Sequence, residues 1–240
     1  MAFADHKHWL YVWIPLFGAF IWFSTLLSML ITWLATGRQK YPSQEGSIAY
    51  ISDVGASYLK PLFIAGSSIT AVSFFLSLSI ERWLRHSRRL PPNMAMREKV
   101  FSILAIIGSA AGGAGLILLS VFDTLHYTRL HRGFLLLFML GVALSAIFTV
   151  IEYRWISKDF REYSSLRGAY IAKGIIAGIL IALAIAFAVA LYKSPDVGAV
   201  LEWTIAFGFT LYLATFVYDL RLTKATYKRQ FASTIPMRDI

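Results

Sequence analysis

Five side chains in this sequence are of the types that activate water, bind metal or move protons at a surface: Asp53, Asp123, His126, His131 and Glu202. They sit at the edges of long uncharged runs, where an enzyme acting on outer-leaflet lipid would keep them. Spacing restricts what they can do. Asp123 and His126 are three apart and share a face if one helix carries both, whereas His126 and His131, five apart, diverge by about 140°. A zinc site takes three or four protein ligands. No metal pair is therefore preset, and neither metal nor cofactor is assigned.

The same five residues have a second reading, as a polar cap in which carboxylates, histidines and Arg129 or Arg132 satisfy one another. Asp53 either recognises a head group or partner from outside, or accepts backbone N–H bonds and so holds a loop or caps a helix. Glu202 needs a partner, with Lys60 or a histidine as candidates, because an ionisable group near the start of a span is costly alone. Asp219, beside Arg221, reads as an anchor. The chain contains no Gly-rich phosphate loop, GxSxG elbow, His-Glu-x-x-His or kinase signature. The leading expectation is a non-enzymatic protein, with no catalytic residue assigned.

What must position these residues is a set of six apolar segments. Uncharged runs extend to Gly37 from just after Lys7, then over 61–80, 100–122, 133–151, 174–192 and 203–218. A spanning helix needs about 20 mostly apolar residues to cross roughly 30 Å of hydrocarbon. Spans are predicted over about 9–35, 61–80, 100–122, 133–151, 174–192 and 197–218, the last reaching back through Glu202. Hydrophobic residues make up 58% of the chain and charged ones 15%, with a mean hydropathy of +0.62. That leaves too little polar surface for a soluble globule. Runs without inside/outside alternation exclude a closed barrel. The fold class is all-α: a polytopic membrane bundle of six transmembrane helices forming one domain over 1–240.

Charge orients the bundle. Short cytoplasmic loops retain Lys and Arg, and one face receives 17 of the 23, so both termini are expected to be cytoplasmic. Three basic clusters lie there: Arg82, Arg85, Arg88 and Arg89; then Arg154, Lys158 and Arg161, interleaved with Trp155, Phe160 and Tyr163; then Lys224, Lys228 and Arg229. Each Lys or Arg near an anionic leaflet gains about 1 kcal/mol. Membrane phospholipid, including phosphoinositides or sterol-rich membrane, is the expected partner, with docking of a cytoplasmic assembly as an alternative; nucleic acid is not. The absence of cysteine removes disulfides, thiolate metal ligation, palmitoylation and prenylation. Gly108-Ser-Ala-Ala-Gly112 and Gly174-Ile-Ile-Ala-Gly178 predict close helix approach inside the monomer.

The loop Tyr50-Ile51-Ser52-Asp53-Val54-Gly55, ahead of the second span, is not required by bilayer anchoring. Together with Asp123 and His131 after the third span, and Glu202-Trp203 and Asp219 framing the sixth, it resembles the family grouping the DRAM autophagy modulators, the Frag-type proteins and the fungal Sfk-type plasma-membrane proteins. The basic loops and tail look closest to the Sfk-type members. The resemblance implies six spans with both ends cytoplasmic. It also implies regulation of lipid organisation or of a phosphatidylinositol 4-kinase assembly at the plasma membrane. The alternatives it offers are outer-face remodelling of lipids or GPI anchors, and autophagy from the lysosome or vacuole; an ER or Golgi location is also open.

Overall fold

The structure is a computed structural model that describes residues 8–86, 96–159 and 164–234, with side chains described over 11–86, 96–155, 168 and 170–221. Seven helices account for almost all of it: α1 His8–Ala35, α2 Ile51–Gly55, α3 Lys60–His86, α4 Met96–Val121, α5 Thr128–Asp159, α6 Ser164–Lys193 and α7 Pro195–Thr234. All but the five-residue α2 are long and apolar enough to cross a membrane. In hydrocarbon a backbone N–H or C=O has no water to bond, so an apolar run closes its own i→i−4 bonds as a helix.

The helices outrun the uncharged segments that predict them. At 1.5 Å per residue, α3 with its 27 residues is about 40 Å long, against roughly 30 Å of hydrocarbon. α3 to α7 each run on past charged residues that bound their apolar runs. Glu81, Arg85, Glu98, Glu152 and Lys173, placed in loops by the sequence reading, lie within helices instead.

The six long helices close a ring in which α1 packs on α3 and α7, α3 on α4, α4 on α5, α5 on α6, and α6 on α7. The tightest seam joins α4 to α5. A Cβ placed on Gly141 would lie 2.3 Å from the backbone N of Gly112, so only glycine allows this approach. Ser145 Oγ donates across the same seam to Ala105 O at 2.8 Å. The second glycine pair behaves differently from the expectation: Gly178 has nothing within 4 Å of an added Cβ, because it faces outward on α6. Phe74 of α3 fills the ring's centre, edge-on to Phe209 and Phe216 of α7. Trp22 Nε1 ties α1 to α7 by donating to Ala206 O at 2.9 Å.

Candidate functional site

Polar side chains concentrate at the two ends of the ring. One end carries the loop before α3; the other carries both termini, since the number of crossings is even.

At the loop end, α2 is a plug latched onto the start of α7. Its first turn exposes orphan N–H groups, and two carboxylates meet them. Asp53 Oδ2 accepts from Tyr50 N at 3.0 Å, while its Oδ1 accepts from Ser43 Oγ at 2.6 Å. Glu202 Oε2 accepts from Ile51 N at 2.7 Å. Trp203 Nε1 donates to Ala49 O at 2.9 Å, beside the Glu202 contact. Asp196, which the sequence reading did not single out, accepts from Ser47 N and Ile48 N at 2.6 and 2.9 Å. Tyr50 lies over Gly198, where a Cβ would stand 2.3 Å from the phenol oxygen. Burial, reinforced by Glu202, pushes the Tyr50 phenol up to about 12. Burial also raises Asp53 above the usual carboxylate range, against the hydrogen bonds from Ser43 and Tyr50.

Asp123 and His131 close the neighbouring helix ends. His131 Nδ1 lies 2.8 Å from Leu119 O and 3.0 Å from Phe122 O. Carbonyls only accept, so Nδ1 carries the proton and caps the last turn of α4 from α5. Its Nε2 is buried without a hydrogen-bond partner among the described residues. Asp123 Oδ2 pairs with Lys60 Nζ at 2.6 Å, and its Oδ1 accepts from His126 N at 2.7 Å and meets His126 Nδ1 at 2.9 Å. Burial acts against the charged form of Asp123, but Lys60 and His126 outweigh it and hold the carboxyl down at about 2. Arg132 pairs with Glu45 at the exposed rim, 3.1 Å apart.

Of the five candidates for chemistry, Asp123 and His126 are in contact, and Asp53 and Glu202 both bind the first turn of α2. His131 is committed through Nδ1 to α4, and the His126 side chain is 66% exposed. The partner of Glu202 is a backbone N–H, neither Lys60 nor a histidine. Among the described residues no group of three or more His, Asp or Glu is arranged to hold a metal ion.

At the termini end the structure corrects the sequence reading twice. Arg85, expected to face anionic lipid, is only 4% exposed. Its Nη2 meets Glu81 Oε1 at 2.7 Å and its Nε lies 3.8 Å from Glu152 Oε1. It turns inward because α3 stays helical through His86 and carries Arg85 on the same face as Glu81, four residues earlier. Asp219, expected to be an anchor near Arg221, is also buried and pairs with Lys173 of α6. Tyr153 Oη donates to Glu81 Oε1, and Lys173 Nζ stands 3.5 Å over the Phe216 ring. Glu81, Arg85, Glu152, Tyr153, Lys173 and Asp219 thus form a buried network joining α3, α5, α6 and α7. No sequence pattern marks it, since its members come from four helices and each lies just beyond the end of an apolar run.

The other basic residues divide. Arg82 donates to Lys99 O at 3.1 Å, and Arg154 is exposed. Arg88, Arg89 and Arg161 lie outside the described residues, as do the side chains of Lys158, Lys224, Lys228 and Arg229.

Against known families, residues 10–223 match the Frag1/DRAM/Sfk1/Cwh43P N-terminal domain. The chain belongs to that family. As a Frag1/DRAM/Sfk1 protein it is similar to Protein sfk1 of Schizosaccharomyces pombe, at 29% identity over 86% of this chain and 62% of the relative. It is also similar to Protein SFK1 of Saccharomyces cerevisiae, at 25% identity over 69% of this chain and 55% of the relative. The chain spans less than two thirds of the length of both relatives. No solved structure matches it. Family membership and six spanning helices together make this an integral membrane protein.

Proposed function

We propose that this protein is a non-enzymatic regulator of lipid organisation, or of phosphoinositide signalling through a phosphatidylinositol 4-kinase assembly, at the plasma membrane, with both termini cytoplasmic. The observation that carries the reading is the disposition of the motif carboxylates. Asp53 and Glu202 accept backbone N–H groups of the α2 turn, and Asp123 is bound by Lys60 and His126. Acids so engaged hold a turn and two helix ends in place, which supports a positioning role for them. Arginine-rich segments at the termini end supply the attraction to anionic inner-leaflet lipid. Similarity to the two Sfk1 proteins supports placing the chain nearest the Sfk-type members of the family.

The test is to neutralise Arg82, Arg88 and Arg89 together, leaving Arg85 in place because it belongs to the buried network. Altered leaflet lipid distribution and reduced recruitment of lipid kinase, with normal folding and abundance, are expected. Wild-type behaviour in that variant would overturn the reading.

One observation favours the enzymatic alternative: the buried Nε2 of His131, which has no hydrogen-bond partner among the described residues. Turnover of phospholipid or GPI-linked substrate by purified protein, abolished in His131→Ala with folding retained, would promote it.

A further inference from the structure

Charge at the termini end is sorted by sign. Among the described residues the four acids there, Glu81, Glu98, Glu152 and Asp219, are all buried, at 4% exposure or less. The basic side chains Arg97, Lys99, Arg154 and Arg221 are exposed, and no exposed acid among the described residues accompanies them. Two of these cations gather at the tight seam of α4 and α5. Gly108, Gly112 and Gly115 face Ser145, Val142 and Phe138 across it, an antiparallel register that, carried outward, sets Arg97 opposite Trp155. The contact is present: the Arg97 guanidinium stands 4.0 Å over the Trp155 ring. Arg154 continues the outward stripe of Leu140, Leu144 and Ile147 on α5, because steps of three and four residues stay on one helix face.

Arg97 differs from an ordinary surface cation in how it is held. Stacking occupies the flat face of a guanidinium, while its five N–H donors lie in the plane and point from its edge. Arg97 makes no hydrogen bond or ion pair with any described residue. Its fork is therefore open although the indole already restrains the side chain, which lowers the ordering cost of binding. Trp155 also sets the depth, since indole rings prefer the headgroup level of a bilayer. On the membrane side of this pair, Val100, Ile103 and Ile107 of α4 and Leu144 and Ile147 of α5 present an exposed apolar surface. Cationic donors at headgroup height above an apolar flank match the two ends of a lipid.

We propose that the Arg97–Trp155 stack, with Arg154 beside it, binds the phosphate of an anionic inner-leaflet glycerophospholipid. The guanidinium fork donates to two phosphate oxygens, the strong bidentate geometry, and the acyl chains lie along the lipid-facing surfaces of α4 and α5. Charge selects the occupant: a headgroup with net negative charge gains from both arginines, whereas the ammonium of a zwitterionic choline lipid meets them with like charge. The site rests on the reading above that this end faces the cytoplasmic leaflet, and it adds Arg97, which lies outside the three basic clusters of the sequence.

The experiment extracts the full chain from vesicles of equimolar dioleoylphosphatidylcholine and dioleoylphosphatidylserine and counts retained lipid by native mass spectrometry. Wild-type protein is expected to keep phosphatidylserine in preference to phosphatidylcholine. Arg97→Gln should lower the phosphatidylserine-bound fraction about tenfold, the worth of one charge-assisted hydrogen bond. Arg97→Lys keeps the charge without the planar fork and should lose most of the same binding; Trp155→Leu should follow it. Arg221→Gln removes an equal charge from α7, away from α4 and α5, and should leave retention unchanged. Wild-type retention in Arg97→Lys, or an equal loss in Arg221→Gln, would show a diffuse cationic surface and overturn the site. So would an absence of preference for phosphatidylserine in the wild type. Melting in detergent identifies any variant that fails to fold, and the folded member of Arg97→Lys and Trp155→Leu then decides. The assay reads purified protein with Arg82, Arg88 and Arg89 intact, so failure of this site and failure of the cellular reading show separately.

Discussion

Glu202 of α7 accepts the backbone N–H of Ile51 at 2.7 Å, so a carboxylate caps a helix that begins 151 positions earlier in the chain. The contact explains why an acid is placed in the second turn of an apolar helix. It fixes the α2 plug over the bundle, and the plug in turn places Asp53, Tyr50 and Trp203 in one layer.

Removing that acceptor leaves a buried N–H without a partner. Glu202→Ala is expected to lower unfolding free energy by about 1–3 kcal/mol, whereas Glu202→Gln, which keeps an acceptor oxygen, should lose less. Thermal unfolding in detergent compares the two, and equal losses would show that the cap does not hold the plug.

The Lys173–Asp219 pair is a buried salt bridge between α6 and α7. Lys173→Met should be costly, about 3–5 kcal/mol, because Asp219 is left buried and uncompensated. Replacing Asp219 by Leu in the same chain should recover much of the loss. A double-mutant cycle with no coupling would show that the two side chains do not pair.

Two glycines should answer oppositely to the same substitution. Gly141→Ala puts a methyl 2.3 Å from Gly112 N, and forcing the α4–α5 seam apart is expected to cost about 1–3 kcal/mol. Gly178→Ala meets nothing within 4 Å and should be neutral or stabilising by up to about 1 kcal/mol. Melting temperatures of the two variants check the contrast.

Asp123 sets an acid limit. Its folded carboxyl titrates at about 2, below the unfolded value of about 3.9. A depressed carboxylate contributes stability above its unfolded pKa and loses that contribution as pH falls through the folded one. The Lys60–Asp123 contribution should be full above about pH 5 and decline toward about pH 2. Asp53, raised by burial, acts in the opposite sense, so the comparison must be with Asp123→Asn rather than with neutral pH alone. The variant's melting temperature should fall less steeply than the wild type's over this window; parallel curves would remove Asp123 from the account.

The parts of this protein readable from its residues are those that depend on sums along the chain. Six apolar runs gave six spanning helices. Asp53, Asp123, His131 and Glu202 lie at one end of the ring, while Asp219, read with them as one motif, lies at the other. Their individual contacts are less legible: nothing in the sequence marks Asp196, and the partner of Glu202 is main chain, which no side-chain inventory reveals. Charge following an apolar run ordinarily marks a helix end, which is why the sequence alone puts Arg85 at the surface.

Bilayer thickness imposes a length and a polarity on each segment independently of its neighbours, and that one-dimensional demand is written directly into the sequence as six spans. Which face of each helix turns inward is a different matter, because it depends on how six cylinders pack once glycines let some approach more closely than others. Packing carried Arg85, Lys173 and Asp219 into a shared interior and turned Gly178 outward. Those outcomes rest on contacts between segments tens to hundreds of residues apart, and only the tertiary structure decides them.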